Sequence, residues 1–155
     1  MLARGGVERI GESVSPCFVE IGENRMEMEV SVPDHAVAVK QCFSQLTDPE
    51  SGCLADAAEV SAIGFKAVHG GRISGVHRVS EEVLEAMSEM NEVAPAHNPP
   101  YINAMRILSE KLPEIPLVAA FETGFHQTNR KPLKYYGIPY EWAEEHQVKR
   151  SEEHT

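Results

Sequence analysis

The chain is 155 residues long with a formal net charge of −10, and its apolar fraction of 42% and charged fraction of 25% are those of an ordinary folded domain. That length holds one domain with a real core. The negative charge argues against a nucleic-acid partner, which needs a basic face, but leaves room for a small anionic substrate in a locally basic pocket.

The first residues, MLARGGVERIGE, lack the continuous apolar core of a secretory signal. No later run approaches the roughly 18 apolar residues of a membrane-spanning helix. Both features predict a cytoplasmic protein. The three cysteines, Cys17, Cys42 and Cys53, are odd in number and show no CxxC spacing. They read as reduced thiols rather than a disulfide or zinc set.

Residues 17–22 (CFVEIG) and 25–32 (RMEMEVSV) predict two short strands. In the second, Met26, Met28, Val30 and Val32 alternate with Glu27, Glu29 and Ser31, a period of two with one wet face. Glu23-Asn24 predicts the tight turn of a hairpin. Pro33-Asp34 then opens a helix capped by Asp34, with Ala36, Val37, Val39, Lys40, Phe43 and Leu46 as its stripe. Thr47 to Gly52 reads as a loop, followed by a short helix over 54–58.

Val60 to Val68 (VSAIGFKAV) is mostly apolar and predicts a buried strand. It ends at His69-Gly70-Gly71, where glycines permit backbone angles and close approaches that other residues forbid. Ser80 caps the next helix, with Glu81 and Glu82 at its positive end and Val83, Leu84 and Met87 facing inward. Pro99-Pro100 opens a helix over 99–111. Ile115 to Phe121 predicts a second buried strand, and residues 140–147 a last helix. Phe18, Phe43, Phe65 and Trp142 read as packing aromatics. His35, His77 and His146 read as surface residues. Strands alternating with helices indicate α/β layering.

Two segments share one design: an apolar strand that stops abruptly and is followed by polar residues. They are Lys66–Gly71 and Phe121–Thr128. Ligands of open α/β sheets bind beyond the carboxyl ends of strands. Between them, Ala94-Pro95-Ala96-His97-Asn98-Pro99-Pro100 presents His97 at a helix start. Each element alone has a structural alternative. A histidine at a strand end can be a plain hydrogen-bonder, Asn98-Pro99 a plain helix entry, and Glu122 a cap or ion-pair partner. Lys66 fits an exposed strand position as well as a pocket cation. Together, a cation, a carboxylate and two histidines suit an anionic, metal-bound substrate. Phosphoryl transfer needs such an inventory, because it rests on positioning and charge neutralisation with little covalent chemistry.

The runs AVHGG (67–71), APAHNPP (94–100), FETGFHQT (121–128) and YYGIPYEWAEEHQVKR (135–150) resemble the acetate and butyrate kinases, with weaker similarity through VSAIGFKAV back to LARGGVERIG. The HNPP run followed by F-acid-T-x-FHQT is a specific signal, most similar to acetate kinase. The resemblance implies an α/β domain of the ribonuclease H-like, actin-like superfamily that includes sugar kinases and heat-shock 70 proteins. It implies a phosphotransferase that takes ATP and acetate, or another short-chain carboxylate, to ADP and the acyl phosphate with Mg²⁺. Carried over position by position, the catalytic residues are Lys66, His97 and Glu122. The substrate-binding residues are Val68, Ala96, His69, Gly70 and Gly71, and no protein metal set is implied.

Several positions depart from the family pattern. Lys66 stands for arginine and loses the two-pronged fork that grips a carboxylate or phosphate. Glu122 stands for aspartate, Ala96 for a larger apolar residue, and Phe65 for histidine. The family's Asn-Ala-Gly-Ser-Ser-Ser and Phe-His-Gly-Thr-Ser-His runs do not occur in the sequence. The expectation is therefore an incomplete domain, with 1–150 a partial N-terminal acyl-site domain and 151–155 an unrelated tail. Such a chain is expected to be inactive alone. The alternatives are a working phosphotransferase, assembled as a homo-oligomer or with a partner that supplies the missing half, and a non-catalytic binding or interaction domain derived from a carboxylate kinase.

Overall fold

A computed structural model describes residues 1–150; the expected tail at 151–155 lies outside them. The chain divides into two compact units, Met1–Ser61 and one that begins at Ala62.

The first unit is an antiparallel meander of β1 (Ala3–Val7), β2 (Ser15–Ile21) and β3 (Asn24–Val30), followed by α1 (His35–Leu46). The β2–β3 hairpin forms as the alternation predicts, with Val19 paired to Met26 and Cys17 to Met28. Its turn lies one residue earlier than expected. Ile21 pairs with Asn24, so Gly22 and Glu23 make the two-residue loop. Gly22 has φ +61. Glycine at the first central position suits the twist of a hairpin turn better than the Glu23-Asn24 reading did. β1 was not expected, because its Arg4-Gly5-Gly6 centre has neither alternation nor β-branched residues.

The cap of α1 is as predicted: the Val37 N–H donates to Asp34 Oδ1 at 2.9 Å. The buried positions of the helix are Ala38 and Gln45, and Lys40 is exposed rather than part of the stripe. Cys17, Val32 and Ala38 form the small core, with Met28, Val30 and Val37 packed on it. The short helix expected at 54–58 is a 3₁₀ turn over Ala57–Glu59.

The second unit holds a mixed sheet in the order β4 (Ile63–Ala67), β6 (Leu117–Phe121), β5 (Val76–Arg78). β4 and β6 run parallel, and β5 is antiparallel to β6. Helices α2 (Glu81–Ser88) and α3 (Asn98–Lys111) lie between β5 and β6 in sequence and pack on each other. Ser80 caps α2, accepting from the Val83 N–H at 3.4 Å. Val83, Leu84 and Met87 are buried, and Met87 and Met105 are among the largest fully enclosed side chains.

Neither β4 nor β6 is buried on both faces, as the apolar runs had suggested. Leu117, Ala119 and Phe121 are buried whereas Ala120 is exposed, and Lys66 is exposed beside buried Ala67. The sheet is small, β4 is its edge, and one face stays open. β5 was missed because three residues, Val-His-Arg, carry no pattern. The last expected helix is α5 (Tyr140–Glu145), preceded by an unexpected turn of helix, α4 (Lys131–Lys134). Trp142, expected to pack, is 58% exposed. In α5 the buried residue is its neighbour Ala143.

Candidate functional site

The open face of the sheet carries the first candidate cluster. Parallel pairing places Lys66 opposite Ala120, and Val76 is opposite Ala120 on the other side. Period two then brings Glu122, just past the end of β6, to the face that Lys66 occupies. The two meet: Lys66 Nζ lies 3.0 Å from Glu122 Oε1. The partners are unequal in setting, the lysine side chain being 60% exposed and the glutamate 4%. The second carboxylate oxygen, Oε2, is buried with no hydrogen-bond partner.

Phe65, Lys66, Val76, Phe121, Glu122 and Phe125 line an open groove of about 590 Å³ here. Its walls are largely apolar and its polar end is the ion pair. Such a groove can hold a short apolar tail with a charged head.

The His69-Gly70-Gly71 run is a different kind of feature. His69 is buried, and its Nδ1 accepts from the Gly71 N–H at 3.0 Å. The neutral ring therefore carries its proton on Nε2. Burial first, and then the charge of Lys149, hold the His69 pKa below its ordinary value, against a backbone hydrogen bond to Gln147. Gly71 has φ +55, a conformation that glycine adopts without strain. Its carbonyl accepts from Lys149 Nζ.

Asn98 ties this turn down. It is fully buried, and its amide donates to the carbonyls of His69 and Met87, both at 2.8 Å. Asn98 is the first residue of α3, as the helix-entry reading expects. Its side chain also joins the strand-end turn to the end of α2. A short amide between a histidine and two prolines was the available signal, because Pro99 and Pro100 fix the backbone that aims it.

His97 and Ala96 are exposed and Val68 is half-buried. The His97 ring makes an edge contact with Tyr101, with centroids 6.5 Å apart, and does not cap α3. The structure thus brings Lys66 and Glu122 together, and ties His69 to Gly71 and Asn98. His97, Ala96 and Val68 join neither cluster through a direct polar contact. His35 is half-buried, and His77 and His146 are exposed.

The resemblance implies magnesium, which needs oxygen ligands. Among the described residues no three of His, Cys, Asp and Glu are grouped to hold a metal. Glu122 Oε2 is a hard oxygen without a partner. Mg²⁺ often takes only one or two protein carboxylates, with water and substrate phosphate supplying the rest. One ligand from this chain fits that habit. Among the described residues no helix is long and apolar enough to cross a membrane.

Comparisons with known proteins agree with this architecture. A model of the acetokinase family matches residues 1–155. Acetate kinase of Carboxydothermus hydrogenoformans is 38% identical over 152 residues, covering 97% of this chain and 38% of its own length. That of Natranaerobius thermophilus is 38% identical over 154 residues, with the same coverage. Among solved structures, Porphyromonas gingivalis acetate kinase superposes with a TM-score of 0.83 at 32% identity. A propionate kinase from Francisella tularensis gives 0.77 at 26%. Each match covers 97% of this chain and 38% of the other. The two small sheets are thus part of the actin-like, ribonuclease H-like α/β fold of these kinases. The chain spans a little over a third of the length of the relatives it matches, and it belongs to the acetokinase family.

Proposed function

We propose that this chain forms the carboxylate-binding part of a kinase that transfers the γ-phosphoryl group of ATP to acetate or a similar short-chain carboxylate, giving ADP and the acyl phosphate. The observation that carries this reading is the Lys66–Glu122 pair at the polar end of an apolar groove. Lys66 offers its ammonium to the carboxylate head and, as transfer proceeds, to the phosphoryl oxygens. Glu122 holds that ammonium in place from its buried position. Phe65, Val76 and Phe125 surround the short tail and exclude water from it. Lysine supplies charge without the planar fork of arginine, so the carboxylate is held by one point contact.

Mg²⁺ would neutralise charge on the nucleotide phosphates, with Glu122 Oε2 as the one ligand this chain offers. His97, at the exposed start of α3, is proposed to face the nucleotide side of the reaction. Val68, Ala96, His69, Gly70 and Gly71 are proposed as its substrate-binding surroundings. Residues 1–150 are proposed to act as one acyl-site region, in a cytoplasmic protein with reduced thiols. The 155 residues are proposed to bind the carboxylate without turning it over. A second reading, a non-catalytic binding domain, draws on the exposure of Val76 (70%) and Phe125 (60%).

Two measurements test these readings. Ligand-observed NMR should show acetate or propionate binding to the chain and loss of that binding in Lys66→Met. Undiminished binding in the variant would sink the site. Hydroxylamine trapping with ATP and Mg²⁺ should give no hydroxamate from the chain alone, and a steady yield would sink the claim that it does not turn over. Failure of acetate and propionate to bind at all would favour the second reading.

A further inference from the structure

The 3₁₀ turn Glu122–Gly124 has two sides. Glu122, Gly124 and Phe125 line the groove described above, whereas Thr123, His126 and Gln127 line a separate pocket of about 170 Å³. The turn is thin because Gly124 packs on Gly75, where a Cβ would stand 2.7 Å from the Gly75 nitrogen.

The second pocket is strongly cationic for a chain of net charge −10. Lys134, Lys149 and Arg150 line it together with Ser74, Thr123 and His126. None of the lining side chains among the described residues is acidic. Tyr135, also in the wall, donates its hydroxyl to Glu144 at 2.5 Å. Two hydroxyls in the pocket have no partner. Thr123 retains only 5% of its exposure, and its Oγ1 is buried and unbonded, as is Ser74 Oγ. A buried hydroxyl without a partner costs about 1–3 kcal/mol. Two of them lining one pocket point to a ligand that accepts hydrogen bonds.

Lys149 supports the same conclusion. It spends one N–H on the Gly71 carbonyl, and burial pushes its pKa down. An anion beside it would restore what desolvation removes. Lys134 and Lys149 alone carry twice the charge of a single carboxylate, and two hydroxyl donors stand beside them. They suit a tetrahedral dianion, which has more acceptor oxygens and twice the charge.

We propose that Ser74, Thr123, Lys134, Lys149 and Arg150 form a binding site for free inorganic phosphate, separate from the Lys66–Glu122 groove. The site needs no assumption about the groove's function, and its ligand approaches from the other side of the turn.

The test is titration of inorganic phosphate into the 155-residue chain at constant ionic strength, read by calorimetry and by the midpoint of thermal unfolding. Phosphate should bind saturably and raise the midpoint, with sulfate acting in the same way. Thr123→Val and Lys134→Met should each weaken binding by about tenfold or more. Lys149→Met should do the same, but it also breaks the tie to Gly71, so the other two variants decide if it does not fold. Lys66→Met should bind phosphate as the parent does. A response to acetate as strong as that to phosphate would overturn the assignment. So would a non-saturable response, or phosphate binding that is lost in Lys66→Met and kept in Thr123→Val.

Discussion

Asn98 and Glu122 pose the same physical problem and solve it differently. Each is a buried polar side chain at the end of an element, and each keeps one oxygen without a partner. Asn98 spends its amide on two backbone carbonyls, which cannot move without moving the fold. Glu122 meets an ammonium that is 60% exposed and carried on a flexible stem. The first arrangement fixes a turn. The second stores a charge that can be shared with an incoming ligand. Burial alone therefore does not mark a functional group; the mobility of its partner separates the two cases.

The comparison is broken most directly by removing each side chain in turn. Asn98→Ala takes the amide donor from the buried His69 carbonyl, at about 1–3 kcal/mol, and one bond of about 1 kcal/mol from the Met87 carbonyl, which keeps the Met90 N–H. The expected loss is about 2–4 kcal/mol in urea unfolding. Glu122→Gln keeps the shape and removes a charge whose partner is already 60% exposed. It should cost less than about 1 kcal/mol. If Glu122→Gln proved the more damaging, the ion pair would be architecture and the distinction would fail.

A smaller effect separates the two glycines that flank the sites. At Gly70 a Cβ would stand 2.8 Å from the Ile73 oxygen and 2.8 Å from the Phe121 ring. Neither can yield easily, since Ile73 donates back to the Gly70 carbonyl and Phe121 is buried. Gly70→Ala should cost about 1–3 kcal/mol by overpacking. Gly64, on the open edge strand, would meet nothing within 4 Å. Gly64→Ala should change stability by less than about 0.5 kcal/mol. Thermal unfolding of both variants checks the pair, and equal losses would mean that the face of β4 is covered after all.

These contrasts also explain what could be read from the sequence. The caps at Asp34 and Ser80 were legible because the residue and its bond partner lie within one turn. Lys66 and Glu122 could be named but not joined, because their contact depends on parallel pairing between strands 54 residues apart, which leaves no local trace. The apolar runs at Val60–Val68 and Ile115–Phe121 overstated burial, since composition reports what a strand could bury and not how many faces are covered. Thr123 and Ser74 escaped notice for the opposite reason. A small hydroxyl looks innocuous until the structure shows that nothing meets it. Trp142 was misread because a helix as short as α5 offers one buried position, and Ala143 takes it.

The subtlest test of the tied region is its pH response. His69 is held below its ordinary pKa of 6.5, chiefly by burial and then by Lys149. A group that resists protonation in the folded state binds its proton more readily when unfolded. The unfolded chain therefore gains on the folded one as pH falls below about 6.5, and the contribution is fully present above that value. Between pH 7.5 and 5.5 the chain should lose stability through this group. With seven histidines in the chain, the difference between parent and His69→Gln isolates the term. Glutamine can still accept from the Gly71 N–H but does not titrate, so its unfolding midpoint should fall less over this range. Parallel curves for the two proteins would show that the His69 ring gains its proton as easily in the fold as outside it. The turn that Asn98 anchors would then be wetter than its geometry implies.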